Sequence, residues 1–417
     1  MLTDNQSVTS KGIDPYLIII YVALVIVGWL TIYSSSYDPQ AEFTLFNLDQ
    51  NYGRQLIWII ISAVFAISIL IVDGKFFYNH AYIIYLIFML LILSVLFLGT
   101  DINGAKAWIK IGAFSIQPIE FAKFATALAL AKFFNEGKTD NERRHIFLIA
   151  FVFILVPAGI AILQKDTGSA LVFFAFIIMF YREGFNSWLM LMGVLIVLTF
   201  VLTLMWNELY TIAFLLVVLC ISCFFVKGNK KKLFRNVGIF AGFVVLVFAV
   251  NVAYTNVLQP HQRQRIDTIF GKSIDPKGAD FNLNQSKIAI GSGGFSGKGY
   301  LNGTQTKLNF VPEQSTDFIF CGIGEEWGFI GSIAIFALFL TLIIRIIQLA
   351  ERHKSTFVRV YGYGVASVLF FHLVINIGMT IGLIPVIGIP LPFISYGGSS
   401  LWGFTLLLFI FIRINAE

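Results

Sequence analysis

Long apolar runs fill most of the chain and alternate with short polar connections. A helix that crosses a bilayer needs about 20 consecutive apolar residues. The runs lie at about residues 16–34, 56–72, 79–98, 118–134, 146–163, 168–181, 188–205, 210–226, 237–257, 318–344, 357–384 and 391–413. This pattern predicts an all-α polytopic membrane protein of about twelve spans, among which the runs at 118–134 and 168–181 are short for a full crossing.

The positions of Lys and Arg support this topology. Short cytoplasmic loops carry an excess of positive charge. With the N-terminus inside, most Lys and Arg of the short loops fall on the cytoplasmic side. A count shifted by one span would place the lysine-rich segment 227–232 outside. The sequence therefore predicts one membrane domain over residues 1–417, with twelve spans and both termini cytoplasmic.

One long polar segment interrupts the pattern, at residues 258–317, and it is predicted to lie outside. It is rich in Gly, Asn, Gln and charged residues, without the low complexity of a linker. Long loops of this kind are usually functional. No internal repeat is visible, which disfavours a transporter built from inverted repeats.

Composition narrows the class of protein further. The chain is 58% hydrophobic and 12% charged, against about 45–50% and 25% in soluble domains. These fractions exclude a soluble enzyme, a disordered chain and a fibre. The net charge of +6 reflects topology rather than nucleic-acid binding. The three cysteines lie in apolar runs without zinc-ligand spacing, and no cleavable signal peptide is evident.

Charges inside the apolar runs are candidates for function, because each costs about 2.5–3.5 kcal/mol on insertion. Glu120 and Lys123 stand three residues apart, so they share a helix face and can pair. They are either a structural ion pair or the polar floor of an outward-facing cavity. Asp166 lies between two runs and fits a helix N-cap or an outward-facing site.

The long loop carries cations that could bind a phosphate or diphosphate: Arg263, Arg265, Lys287 and Lys298. Its glycines allow a close backbone approach. Ser292 and Gly299 break the P-loop pattern. Asp275, before a proline, is by spacing alone an ordinary turn residue.

Three further features occur near the C-terminal runs. Glu325 and Glu326 open a run, as expected of acidic residues that stabilise a helix N-terminus. His372 and Asn376 are four residues apart and predict interhelical hydrogen bonds. The segment 388–400 is broken by Pro and Gly, so its backbone must be buried or line a cavity.

Several of these elements resemble the SEDS family, which comprises RodA, FtsW and sporulation proteins. The motifs lie at 117–123, 285–294, 297–299, 310–313, 316–320, 376–380 and 389–400. Their number and order make the resemblance specific, and it extends over nearly the whole chain. The short tails and the segment 262–265 are more similar to the RodA branch.

The resemblance implies a peptidoglycan glycosyltransferase that polymerises lipid II on the periplasmic side of the bacterial inner membrane. Its role would be cell elongation and shape, with division as the alternative. The implied partners are a class B penicillin-binding protein and the elongation machinery, with no nucleic acid. The family's usual ten spans leave residues 207–257 as an extra transmembrane hairpin, expected at the periphery in contact with a partner or lipid.

The resemblance also implies a catalytic role for Asp275. As a general base it would accept the proton of the GlcNAc 4-hydroxyl that attacks C1 of MurNAc. Cations would stabilise the lipid diphosphate leaving group, either Arg263, Arg265 and Lys123 or a divalent ion, Mg²⁺ or Mn²⁺. No protein metal site is predicted. The other expected substrate contacts are Glu120, Asp166, Lys287, Lys298, Asp317, Ser395 and Ser399.

Two other functions are compatible with a polar cavity in a membrane bundle. A lipid II flippase would use the cavity without chemistry and would need no acidic base in an outer loop. A scaffold would only anchor the penicillin-binding protein, and its loop carboxylates could be neutralised without loss of cell-wall synthesis.

Overall fold

The computed structural model describes residues 12–37, 46–102, 104–112, 114–137, 143–225, 230–257, 263, 267, 279–308, 310–384 and 386–417. Its helices are α1 Pro15–Ser35, α2 Asn51–Ile71, α3 Gly74–Leu98, α4 Ile119–Glu136, α5 Arg143–Leu163, α6 Thr167–Phe173, α7 Phe176–Arg182, α8 Ser187–Met205, α9 Glu208–Phe225, α10 Lys230–Val252, α11 Ala279–Gly293, α12 Thr304–Lys307, α13 Ile319–Arg352, α14 Thr356–Thr380 and α15 Gly398–Asn415. A π-helical turn, Ala253–Val257, extends α10. The helices form two compact units, a larger one of Met1–Glu183 with Asn282–Glu417 and a smaller one of Gly184–Phe281.

Each of the twelve predicted apolar runs contains a helix, although in the last run, 391–413, the helix begins only at Gly398. Nine helices in the described part of the chain are long and apolar enough to cross a membrane, and Thr167–Arg182 and Glu208–Phe224 are shorter apolar helices. The twelfth run is α4, which carries Glu120 and Lys123. The chain is thus a multi-pass helical membrane protein. The number of spans and their orientation remain predictions, as does the boundary of the extra hairpin at 207–257.

Helix α4 lies at the centre of the larger unit. Every side chain from Ala122 to Ala131 is buried. Five of these ten residues are alanines, and small residues allow neighbouring helices to pack closely. Helices α3, α5, α14 and α15 all contact α4. Protein therefore surrounds the two charges near its N-terminus, which explains how a helix with such charges is stable at this position.

A short antiparallel sheet, β1 Thr100–Ile102, β2 Ala105–Ile111 and β3 Phe114–Ile116, lies between α3 and α4. The apolar pattern did not predict it. The Lys106 amide donates to the Gln164 carbonyl at 2.9 Å, and the Lys106 ammonium donates to the Leu96 carbonyl at 2.8 Å. These bonds attach the sheet to the ends of α3 and α5.

Helix α13 is broken at Gly328, where φ is +65°. The segment 294–299 pairs with the backbone that this break releases. The amides of Lys298 and Gly299 donate to the carbonyls of Glu325 and Glu326, each at 3.0 Å, and the Phe329 amide donates to the Gly294 carbonyl at 3.0 Å. Irregular backbone is tolerated at membrane depth where other protein groups satisfy it.

Candidate functional site

A buried group of ionisable side chains occupies the start of α4. The Lys123 ammonium lies 2.7 Å from Glu120 Oε1 and 3.1 Å from His372 Nε2 on α14. All three side chains are no more than 3% exposed. The Glu120–Lys123 pair forms as the spacing predicted. His372 forms the predicted interhelical hydrogen bond, but its partner is the charged pair itself.

The surroundings of His372 define its tautomer. Nδ1 lies 3.0 Å from the Pro390 carbonyl, which can only accept, so Nδ1 carries the proton and Nε2 accepts from Lys123. The Phe404 ring centroid is 5.0 Å from the Lys123 ammonium, within the range of a cation–π contact. Lys123 is therefore held by an anion, a ring nitrogen and an aromatic face. Among the described residues, no group donates to the buried Glu120 Oε2.

The segment 386–397 forms the wall next to this group, and polar side chains fix its path. Asn376 Nδ2 donates to the carbonyls of Asp317 and Ile389, each at 2.8 Å. The Ser395 hydroxyl donates to the Thr316 carbonyl at 2.7 Å and accepts from the Leu391 amide at 2.8 Å. Ser395 therefore positions this backbone. The bonds explain how a segment broken by Pro and Gly is ordered inside the protein.

Asp166 caps α6 and is bound by three donors. Oδ1 accepts from the Ser169 amide at 2.9 Å, and Oδ2 accepts from the Ser169 hydroxyl and from Gln117 Nε2, each at 2.8 Å. The backbone amide of Gln117 donates to the Ser399 hydroxyl at 2.9 Å. Gln117 thus links Asp166 and Ser399 to the turn that begins α4. No sequence pattern indicated this role, although Gln117 opens the motif that contains Glu120.

Asp317 lies just before α13, partly buried, beside other acidic groups. Burial first, and then the negative charges of Glu313 and Asp166, raise its pKa to about 7. Gly388 has φ of +78°, and a Cβ at this position would lie 3.3 Å from Asp317 Oδ2. The 386–397 segment therefore runs close to the carboxyl group. Asp317 and Asp166 place two acidic groups near each other at this end of the larger unit.

Lys298 is held in a different arrangement. Its ammonium lies 2.7 Å from Glu325 Oε1, and Glu325 also accepts from the amides of Thr304, Gln305 and Thr306 at 2.8–3.0 Å. Glu325 therefore caps α12, not the start of its own helix as expected. These contacts give Lys298 a structural partner. Lys287 is exposed, and its side chain lies over Gly382. A Cβ atom at position 382 would overlap the end of the Lys287 side chain.

The smaller unit contains the described part of the arginine segment. Arg263 Nη2 donates to the Thr255 carbonyl, and the Tyr254 hydroxyl donates to Asp267 Oδ1. Arg265 and Asp275 lie outside the described residues, so their predicted roles remain predictions. In the described part of the chain, no group of three or more His, Cys, Asp or Glu is arranged to hold a metal ion.

Comparison with known proteins gives matches over nearly the whole chain. A family model described as cell cycle protein, FtsW/RodA/SpoVE, matches residues 15–214 and 181–417. The peptidoglycan glycosyltransferase RodA of Treponema pallidum (strain Nichols) is 32% identical, over 97% of this chain and 98% of its own. The peptidoglycan glycosyltransferase MrdB of Escherichia coli (strain K12) is 31% identical, over 96% and 94%.

A solved structure has the same fold. It is a chain from a peptidoglycan synthase complex described as coordinating polymerization and crosslinking, with 26% sequence identity and a TM-score of 0.69. The match covers 97% of each chain. The fold is therefore similar over 97% of the chain.

Proposed function

This chain belongs to the FtsW/RodA/SpoVE family of cell cycle proteins, and from that premise we propose that it is a peptidoglycan glycosyltransferase. It polymerises lipid II into glycan strands on the periplasmic side of the inner membrane, for cell elongation and shape. The observation that carries the proposal is the full-length likeness to relatives with this activity, the first at 32% identity over 97% of the chain.

The reaction joins two sugars by a single displacement. The 4-hydroxyl of one GlcNAc attacks C1 of MurNAc, the C1–O bond to the lipid diphosphate breaks, and C1 inverts. A hydroxyl is a weak nucleophile, so a carboxylate must accept its proton. We assign this role to Asp275. The diphosphate leaves with the bonding electrons, and Arg263 and Arg265 stabilise its charge.

The buried group on α4 supports a site for an anionic substrate. Lys123 is kept at a fixed place by Glu120 and His372, so little reorganisation is needed when charge develops nearby. Asp166 and Ser399 are tied through Gln117 to the same end of α4. We propose that these side chains, with Asp317, Lys287 and Ser395, shape the cavity that receives lipid II. Lys298 contributes to this cavity indirectly, because its bonds to Glu325 and Thr304 fix the loop around it.

The same proposal names partners and location. We propose a class B penicillin-binding protein as the partner that crosslinks the new strand, with the elongation machinery around both. The match to a chain of a synthase complex supports this assembly. The large loop 258–317 would face the periplasm and both termini the cytoplasm.

The test is polymerisation of labelled lipid II by the purified full-length protein with its transpeptidase partner. We expect glycan strands from the wild type and a loss of at least about 100-fold with Asp275→Asn, the lower range for a general base. Asp267→Asn, in the same loop, is a matched control and should keep most activity. Polymer formation by Asp275→Asn at the wild-type rate would refute its role as base.

The same assay separates the alternatives. Translocation of lipid II across vesicles without polymer would indicate a flippase. Cell-wall synthesis that survives neutralisation of the loop carboxylates would indicate a scaffold. Chelation with EDTA, followed by addition of Mg²⁺ or Mn²⁺, tests whether a divalent cation supplies part of the positive charge.

A further inference from the structure

The ring of Phe404, on α15, contacts two members of the buried group on α4. Its centroid lies 5.0 Å from the Lys123 ammonium and 4.8 Å from the centre of the His372 ring, to which it is perpendicular. A Cβ at Gly403 would lie 2.8 Å from the Glu120 carbonyl oxygen, so the backbones of α15 and α4 are in contact here. The face of an aromatic ring attracts a cation, most strongly where water is excluded. The buried Phe404 ring meets this condition.

Phe393, which precedes α15, fixes the place of the Phe404 ring. The two rings pack edge to face, with centroids 5.9 Å apart. The Phe393 ring also packs edge to face against Tyr21 on α1, at 5.2 Å. The Thr405 hydroxyl donates its proton to the Leu401 carbonyl, so it accepts from the Tyr21 hydroxyl at 3.0 Å. Tyr21 is thereby attached to α15, the helix that carries Phe404.

The backbone of Phe393 has φ of +65°, a conformation that bulky residues rarely adopt. Phe393 is buried, and its backbone is in direct contact with α1. A Cβ at Gly28 would lie 2.9 Å from the Phe393 carbonyl oxygen and 2.6 Å from the Cα of Ile394. A residue keeps such a conformation only when its surroundings enforce it, and such residues cluster at functional sites. The place of this ring therefore indicates a role beyond filling space.

We propose that Phe393 is a positioning residue that acts on Lys123 through the ring of Phe404. This role rests on the proposed glycosyltransferase activity. Phe393 and Tyr21 keep the Phe404 ring in one orientation, and the face of that ring keeps the Lys123 ammonium at the place where charge develops in the transition state. A cation held in advance lowers the barrier without reorganisation. Loss of the contact should therefore lower kcat and leave KM nearly unchanged.

Fluorination of Phe404 tests the contact, because fluorine withdraws electron density from the ring face and changes the shape of the ring little. Replacement by mono-, di- and trifluorophenylalanine should lower kcat for lipid II polymerisation stepwise, by about tenfold in the last, with KM within about twofold. The same series at Phe409 is the matched control. This ring is also buried on α15, and it packs edge to face against Tyr21, so kcat should stay at the wild-type value.

Phe393→Leu tests the step from Phe393 to Phe404. It removes the ring and keeps an apolar side chain, so kcat should fall about fivefold while KM changes little. Phe409→Leu removes the other ring that packs against Tyr21 and leaves Phe404 and Phe393 in place, so kcat should stay within about twofold of wild type. Wild-type kcat in the trifluorinated Phe404 protein or in Phe393→Leu would overturn the proposal. An equal loss in Phe409→Leu would overturn it as well.

The melting temperature provides a readout that does not use lipid II. Fluorination of Phe404 should lower it in the wild-type chain but not in a chain with Glu120→Gln and Lys123→Met, which lacks the buried ion pair. An equal change in both chains would show that the ring only fills space, and it would overturn the proposal. If the wild type forms no polymer, the proposed activity fails, and the melting temperatures still decide whether Phe404 binds Lys123.

Discussion

At the scale of single residues, the charges inside the bundle carry the information about function. The spacing of Glu120 and Lys123 was enough to predict their ion pair, because helix geometry fixes which side chains share a face. The contact of His372 with Lys123 joins residues 249 positions apart. No local pattern contains such a contact, so the sequence predicted only that His372 would bond to another helix.

The hydrogen bond between Lys123 and His372 should contribute to both stability and activity. His372→Leu removes the acceptor that Nε2 offers to the buried Lys123, and an unsatisfied buried group costs about 1–3 kcal/mol. We expect a lower melting temperature and at least tenfold slower lipid II polymerisation. His372→Gln is the control, because its amide oxygen can accept from Lys123 while its NH₂ donates to Pro390. If His372→Leu and His372→Gln have the same melting temperature and polymerisation rate, the hydrogen bond to Lys123 contributes to neither.

Asp317 predicts a pH dependence. Its pKa of about 7 in the folded protein lies above the value of about 3.9 in the unfolded chain. Between these two pH values the carboxyl is therefore protonated in the folded state and ionised in the unfolded state. Stability should therefore fall as the pH rises from about 4 to about 7 and level off above. Asp317→Asn lacks this proton. We expect the variant to lose less stability than the wild type between pH 5 and pH 8. Each kcal/mol of difference in unfolding free energy between the two proteins should appear as a difference of roughly 2–4 °C in Tm.

Melting curves of both proteins at the two pH values provide the measurement. Asp49→Asn, on an exposed turn, is a matched control and should follow the wild type. Parallel curves for Asp317→Asn and wild type would show that the carboxyl is ionised throughout this range.

At the scale of elements, the break in α13 shows how helix and loop depend on each other. The apolar run at 318–344 predicted one uninterrupted span, and the glycines of 291–299 predicted a close backbone approach. Neither pattern predicted that the segment 294–299 would form hydrogen bonds with the backbone of α13 at the break. The loop supplies donors and acceptors for Glu325, Glu326 and Phe329, so the helix can bend without leaving buried backbone groups unpaired.

Gly328→Ala tests this arrangement. A Cβ at Gly328 would overlap the Gly297 amide nitrogen, and the positive φ of +65° disfavours any side chain. We expect a loss of about 2 kcal/mol or more, seen as a lower melting temperature. Gly193→Ala on α8 is the control, because nothing lies within 4 Å of its Cβ position. It should be neutral or stabilising by up to about 1 kcal/mol.

At the scale of the whole molecule, the hydrophobic pattern predicted most of the helices. All twelve predicted runs contain a helix, since a backbone exposed to lipid must satisfy its hydrogen bonds internally. The small sheet at Thr100–Ile116 was missed because its strands are short and its Lys106 bonds to distant backbone groups. The catalytic assignment depended on family resemblance. Asp275 sits in an ordinary turn sequence, and only its position in a known motif distinguishes it.

The predicted topology has a direct test. In a chain with its three native cysteines replaced by serine, Asn302→Cys should react with a membrane-impermeant maleimide in intact spheroplasts. Asn229→Cys should react only after lysis. The lysine-rich turn and the long loop are separated by one crossing, α10, in the twelve-span topology. Reaction of both positions from the same side would contradict it.

The burial of Lys123 has a consequence for how the chain is made. Helix α4 is not among the helices apolar enough to be recognised as spans by composition. Its lysine acquires its His372 partner only after 249 more residues have been synthesised. During that interval the only described partner that Lys123 has within its own helix is Glu120, so exposure of α4 to lipid would be unfavourable. We therefore expect the buried charge group to be complete only after α14 has been synthesised.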